Sequence, residues 1–370
     1  MARNVARWTW WCAAGAVLAT GAAVASPAAA GATTAAGATT AVGATTPAGR
    51  PQSFSVPGTF NGIAASSARD AWAVGSGTGV LIAHWNGTAW RRVRTPHLTA
   101  GSGLSAVTAP SARAAWAAGS TGSGAILILH WNGRAWSRQQ VPHPDVHGNL
   151  FGISATSARN AWAVGSTFGG KTLILHWNGS GWRPVPVPVT IPAGNLNAVA
   201  AASAGSAWAV GDTRAGAALI LRWNGSGWRS AAVPRNAASA LLNAVTATSA
   251  RNAWAVGSTV HGMPLTLRWN GTSWRVIQVP GQLSAQLFGV AAAGRLAWAV
   301  GQAMGNDTFI MTWNGRTWHQ VRSPLRPAGD DFFFAAAAVS TRTAWAAGAT
   351  GTCCAAPAAV IVRWNGKTWK

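Results

Sequence analysis

The stretch DAWAVGSGTGVLIAHWNGTAW, residues 70–90, holds three tryptophans, Trp72, Trp85 and Trp90, the last two bracketing an Asn-Gly pair. Asn-Gly between two extended apolar runs is the strongest short signal for a β-hairpin, because both residues accept the positive φ of a tight turn. The same pattern returns along the whole chain. AWA recurs with its Trp at 72, 116, 162, 208, 254, 298 and 345, and WNG with its Trp at 85, 131, 177, 223, 269, 313 and 364. A third Trp follows five residues later, at 90, 136, 182, 228, 274, 318 and 369. Seven units of about 46 residues thus start at Phe60, and Trp8, Trp10 and Trp11 complete the total of 24 tryptophans.

A period of about this length, with turn signals between short apolar runs and no helical stripe, indicates propeller blades. Each unit offers four strands. The first is small and apolar, as a crowded innermost strand must be (LSAVTA, LNAVTA, LFGVAA). The second is AWAVG, the third LILHW, and the fourth runs from the third Trp to a Pro (WRVIQVP). Runs apolar on both faces, such as residues 126–129, suit a sheet packed between two others. The last unit stops at TWK, where its fourth strand should begin, and QSFSVPG near residue 52 aligns with RVIQVPG of unit five. Residues 53–57 are therefore expected to supply or complete the outer strand of blade seven, removing the exposed edges. The expected fold is all-β: a seven-bladed β-propeller of four-stranded blades over residues 51–370, its ring closed by an N-terminal strand.

From residue 60 onward the units resemble bacterial secreted or surface proteins built of tandem "WAVG…HWNGTxW" repeats, which are distantly similar to Asp-box propellers. An Asp-box would carry aspartate two residues before the glycine, where this chain has Trp85 and its six equivalents. The resemblance implies the propeller fold and leaves the task open, because one fold serves many functions.

Residues 1–30 begin with Arg3 and Arg7, continue through an apolar run and end in small residues, the layout of an export signal. An uncleaved anchor is the alternative, since residues 8–25 are just long enough to span a bilayer. Residues 31–50 repeat GATTAA-like units without a large apolar side chain and read as a flexible linker. The expected location is extracellular, secreted or at the cell surface. Of three cysteines Cys12 lies in the signal, and the adjacent Cys353 and Cys354 are left with a vicinal disulfide, intermolecular pairing and free thiols all open.

Charge is one-sided: 28 Lys and Arg against 6 acidic residues, all Asp, for a net charge of +22. In a four-stranded blade the first-to-second and third-to-fourth turns share one face of the disc. The first of these turns places Arg69, Arg113, Arg159, Arg251, Arg295 and Arg342 three residues before the Trp of AWA, with Gly205 in unit four. The residue before WNG is His84, His130, His176, Arg222, Arg268, Thr312 or Arg363, and the residue after the third Trp is basic in six units, beginning with Arg91. Concentric basic rings are expected on this face, while Asp145, Asp212, Asp307, Asp330 and Asp331 fall among the opposite loops and Asp70 joins the basic side. Such a face outside the cell suits an anionic polysaccharide, teichoic acid or another phosphate-rich polymer, with salt-sensitive affinity. The bland reading is that the turn arginines bond neighbouring carbonyls and keep the disc soluble. A lectin using repeated Trp sites between blades is the alternative function, though the carboxylates that usually grip hydroxyls are scarce. The 2–3 loops at 75–80, 119–125 and 165–172 vary and could choose a protein partner; an intracellular nucleic acid is not expected.

Catalysis is not expected. Paired carboxylates including Glu, or a tyrosine, serve glycosidase and copper-oxidase sites, and the chain has neither Glu nor Tyr. No cofactor is expected. His143, Asp145 and His147 alternate in PHPDVHG and could hold a divalent metal, with His97 in the preceding inter-blade loop, but incidental loop histidines are the ordinary reading.

Overall fold

The repeated pattern folds into repeated antiparallel meanders. In the computed structural model, which describes residues 52–370 except 142–146, 282–283, 326–330 and 352–356, with side chains from Pro57 onward, unit three forms Gly148–Ser157, Asn160–Thr167, Thr172–Trp177 and Trp182–Pro184. Each strand pairs antiparallel with the next. Five units make separate four-stranded sheets, and the first and last units are merged into one seven-stranded sheet.

The merger comes from one long strand, Gln52–Ser67. Its end pairs with Asp70–Gly77 as the inner hairpin of unit one, while its start pairs with Ala358–Trp364, Gln52 opposite Ile361 and Ser53 opposite Val360. At the other end of that partner strand, Trp369 bridges Trp364 and Lys370 exchanges backbone hydrogen bonds with Arg363 at 2.7 and 2.9 Å. The outer strand of unit seven is thus assembled from two distant segments, as the alignment of QSFSVPG predicts.

The core lies between sheets. Trp116, Ile128 and Ile126 of unit two pack with Leu150, Ile153, Leu173, Leu175 and Trp182 of unit three in one buried cluster. The same arrangement joins unit seven to unit one, where Trp345, Ala347 and Ile361 meet Phe60, Ile63, Leu81, Trp85 and Trp90. Every AWAVG strand is buried over most of its length because it is covered on both faces.

The register of every first strand shifts at the same place in the repeat, at Asn61, Ser105, Phe151, Asn197, Asn243, Phe288 and Phe334. A bulge forces close backbone approach, and the glycine of AWAVG accepts it. A Cβ on Gly165 would lie 1.9 Å from the Asn149 carbonyl oxygen. The six equivalent glycines would meet a carbonyl at 1.8 to 2.1 Å.

Candidate functional site: the basic face and the grooves between units

In six of the seven units the two turns are pinned together by the repeat itself. The indole N–H of Trp85 donates to the Ala68 carbonyl at 3.2 Å, and Trp131, Trp177, Trp223, Trp269 and Trp364 do the same to Ala112, Ala158, Ala204, Ala250 and Thr341. In the hairpin, Asn86 Oδ1 accepts from the backbone N–H of Thr88 and Ala89, both at 3.0 Å, and Gly87 adopts φ +97°. All seven asparagines are used this way. The shared factor is therefore the turn, whether or not a Ser or Thr completes a glycosylation sequon.

This pinning positions the arginines. Ser67 Oγ accepts the Arg69 N–H at 3.2 Å, and Ser157, Ser249 and Ser340 do the same for Arg159, Arg251 and Arg342. The Arg69 stem then lies over the hairpin glycine: a Cβ on Gly87 would be 3.2 Å from Arg69 Cβ, and Gly133, Gly179, Gly271, Gly315 and Gly366 meet Arg113, Arg159, Arg251, Arg295 and Arg342 alike. All six arginines are exposed, as is Arg91. No described hydrogen bond or ion pair occupies the six turn guanidinium groups.

The residue before WNG has a different place from the expected surface ring. His84 stacks on Trp72 with centroids 4.2 Å apart, and the Trp131 ring of unit two lies 4.8 Å from Trp72. His84 Nε2 also meets Asp70 Oδ1 at 2.7 Å, and the His84 side chain is 28% exposed. It is half-buried beside a carboxylate, not free on the face. Burial alone raises the Asp70 carboxyl, but hydrogen bonds from His84 and Ser66 and the histidine's charge outweigh it, so Asp70 sits below its ordinary value.

In units four, five and seven the same position is arginine between rings. Arg222 lies 5.4 Å from the Trp208 centroid and 5.3 Å from that of Trp269, with Arg268 over Trp254 and Trp313, and Arg363 over Trp85 and Trp345. Each such cation–π contact contributes about 0.5–2 kcal/mol depending on desolvation. Perpendicular contacts complete the ladder, as between Trp162 and Trp228 at 5.2 Å and 87°. They present one indole's edge to another's face, an arrangement suited to aromatic rings. The tryptophans bracketing Asn-Gly therefore fold the chain and line the grooves between units.

His130 shows the cost of the position. It stacks on Trp116 at 4.0 Å, and its Nε2 is buried with no hydrogen-bond partner among the described residues. Burial lowers His130, and His176 as well, below the ordinary 6.5. The folded protein holds these rings neutral while the unfolded chain binds protons near 6.5, so their contribution is complete above that pH and is lost as pH falls below it. Melting temperature is expected to drop as pH passes from 7 toward 5, and His130→Phe, which keeps the ring stack, should reduce that drop in a pH series of thermal melts. A variant with the wild-type pH slope would refute this account.

The opposite face differs from its expected acidity. Asp212 is a strand residue that is buried, and burial raises its carboxyl despite hydrogen bonds from Asn197 and Asn195. Asp331 is buried too. Of the five acidic residues assigned there, Asp145 and Asp330 lie outside the described residues, and Asp307 is partly exposed. Instead the 2–3 loops carry exposed apolar side chains, Phe168, Val260, Met263 and Met304. His143 and Asp145 of the metal candidate, and both Cys353 and Cys354, also fall outside the described residues. His147 is exposed and stacks 6.3 Å from Phe168. Among the described residues no cluster of His, Cys, Asp or Glu is arranged to hold a metal ion, and no helix is long and apolar enough to cross a membrane.

A cavity of about 430 Å³ opens between units four and five, lined by Trp208, Arg222, Arg229, Trp269 and Trp274. The reading of the sequence missed it. The signal was the fourth strand of unit four, where Ser230, Ala231 and Ala232 replace larger residues such as Arg92, Val93 and Arg94 in unit one.

No family model and no curated protein matches the chain. Solved structures do. The WD40 β-propeller domain of Doa1 superposes with a TM-score of 0.59 at 10% identity, covering 84% of this chain and 95% of that one. The SapL1 lectin in complex with alpha methyl fucoside gives 0.53 at 14% identity, covering 74% and 98%. YCF48 bound to D1 peptide gives 0.52 at 16% identity, covering 75% and 82%. These likenesses establish a β-propeller fold.

Proposed function

We propose that residues 51–370 form a seven-bladed propeller, exported by residues 1–30 and spaced by the linker at 31–50, that acts without catalysis as a binding or scaffold module at or outside the cell surface. Its arginine face meets anionic surface polymers of the teichoic acid or acidic polysaccharide kind. The observation that carries this reading is the ring of six exposed turn arginines on one face with no described partner for their guanidinium groups. Hairpins pinned by the indole bonds hold these charges on a rigid frame, so binding them costs little ordering.

The test is retention on immobilised teichoic acid or heparin under a salt gradient. On the counterion-release scale, about six phosphate contacts lose roughly 10³-fold in affinity between about 50 and 200 mM salt. Replacing the six arginines with glutamine is expected to abolish retention at the lower salt. Wild-type protein that passes straight through both resins would refute the reading.

A lectin is the second reading, favoured by the cavity between units four and five, whose walls combine Trp208, Trp269 and Trp274 with Asn224 and Ser273. The similar SapL1 structure holds a fucoside and the similar YCF48 structure a peptide. Binding in this fold thus ranges over sugars and proteins. Neutral-sugar binding that survives high salt would favour the lectin over the polymer-binding face.

A further inference from the structure

We propose that the groove between units four and five is a site for a uronate-type acidic sugar, its carboxylate held by Arg222 and its hydroxyls by the polar rim. The inference rests on the reading of this face as one that meets anionic polymers, and it names the sugar unit that one groove recognises.

The first observation is a guanidinium Nε without an acceptor. In three of the seven units the side chain at this position has an acceptor two residues before the AWA tryptophan, whereas His130 Nε2, Thr312 Oγ1 and Arg363 Nε have no hydrogen-bond partner among the described residues. His84 has Asp70 at 2.7 Å, His176 has Asn160 at 2.8 Å, and Arg268 donates from Nε and an Nη to Asn252 Oδ1, both at 3.2 Å. Unit four has Ser206 there. Among the described residues, Arg222 Nε and Ser206 Oγ are both buried without a hydrogen-bond partner. A buried donor left unpaired destabilises the fold, the more so when it is charged.

The second observation is a pair of like charges. Arg222 stands directly opposite Arg229 on the neighbouring strand, and both line the cavity. Like charges facing each other across a ladder destabilise it, and an oxyanion between them reverses the sign. The guanidinium fork of Arg222 suits a carboxylate, which it can meet through two N–H donors.

The third observation is space with hydroxyl-binding walls. Only the small side chains of Ser230, Ala231 and Ala232 occupy the outer strand here, where unit three has Pro184, Val185 and Pro186 and unit five has Val276, Ile277 and Gln278. The resulting cavity of about 430 Å³ falls within the roughly 300–1,000 Å³ of small-ligand sites. Asn224 Oδ1 is committed to its own turn, which leaves its Nδ2 to donate, and the hydroxyls of Ser230 and Ser273 lie on the same rim. A polyhydroxylated acid uses all of these groups, whereas a bare anion uses the arginines alone.

The experiment is calorimetric titration of the full chain with sodium glucuronate, glucose and inorganic phosphate at fixed ionic strength. Three variants accompany it: Arg222→Met, Ser206→Asn and, as a control in the next groove, Arg268→Met. Glucuronate is expected to bind about tenfold or more tighter than either glucose or phosphate. Arg222→Met should remove that binding. Ser206→Asn should weaken it severalfold by giving Arg222 the acceptor that Arg268 already has, while making the fold more resistant to heat. Arg268→Met should leave it unchanged. Three results would each overturn the proposal: no glucuronate binding, phosphate or glucose binding as tightly as glucuronate, or undiminished binding by Arg222→Met. The two readings separate cleanly. Polymer retention that depends on the six turn arginines without glucuronate binding sinks this site and spares the face. Glucuronate binding in a chain that no polymer retains does the reverse.

Discussion

Trp162→Ala is expected to lower the unfolding free energy by about 3–5 kcal/mol, the range for removing a large buried aromatic side chain. Trp162 is 1% exposed and touches His176 at 4.2 Å, Trp223 at 4.8 Å and Trp228 at 5.2 Å. It thus joins the middle of unit three to both tryptophans of the unit-four hairpin, and its loss opens a cavity shared by two sheets. The flanking rings are held by their own strands and cannot close the gap, which is why the upper part of the range applies. Denaturant unfolding checks this, with Phe168→Ala as the reference. Phe168 is 62% exposed, so its removal should change stability by no more than about 0.5 kcal/mol. Equal losses from the two variants would disprove the interlocking role.

Gly165→Ala should be nearly as damaging although it adds one methyl group. Its Cβ would lie 1.9 Å from the Asn149 carbonyl oxygen and 2.9 Å from Leu150 Cα, both main-chain atoms of the paired strand. Neither can turn aside as a side chain would, so the inner strand must shift or unpair, at a cost of about 3 kcal/mol or more. Gly181→Ala is the matched control, with nothing within 4 Å of its added Cβ and no positive φ. It should be neutral or slightly stabilising, since alanine narrows the unfolded ensemble. Thermal melts of the two variants decide the matter: similar melting points would mean that the bulge does not need its glycine.

Much of the architecture could be read from residue order because the repeat is so regular. The AWAVG glycine, the Asn-Gly turn and the third tryptophan each report a local backbone need or a burial, and those needs recur seven times. The outer strand shared by residues near 52 and Trp369 was legible from the match between QSFSVPG and RVIQVPG, since identical strand positions impose identical patterns. The placement of Arg69 and its equivalents beside the Asn-Gly hairpins followed from the meander order, in which the first-to-second and third-to-fourth turns share one side.

Other residues could not be placed that way. His84 reads as a surface cation, yet it lies between aromatic rings and beside Asp70, because the neighbouring unit's tryptophans close over it. Asp212 and Asp331 read as loop charges, and burial takes them off the surface, Asp212 within a strand. Both corrections depend on contacts with a paired strand or the neighbouring unit, such as His84 with Asp70, Trp72 with Trp131 and Asp212 with Asn197, which no local pattern reports.

The repeat, the strands, the turns, the closing pair and the side on which the turn arginines emerge could all be read from residue order. These follow from backbone geometry and the period-two burial of a strand. What each groove between units contains emerged only from packing, because a groove is made by two sheets and its contents depend on small differences between them. Arg222 with Ser206 and Arg268 with Asn252 are one substitution apart in the repeat. Packing against the next sheet turns that substitution into one half-buried arginine with an acceptor and another, beside an open cavity, whose Nε has none among the described residues.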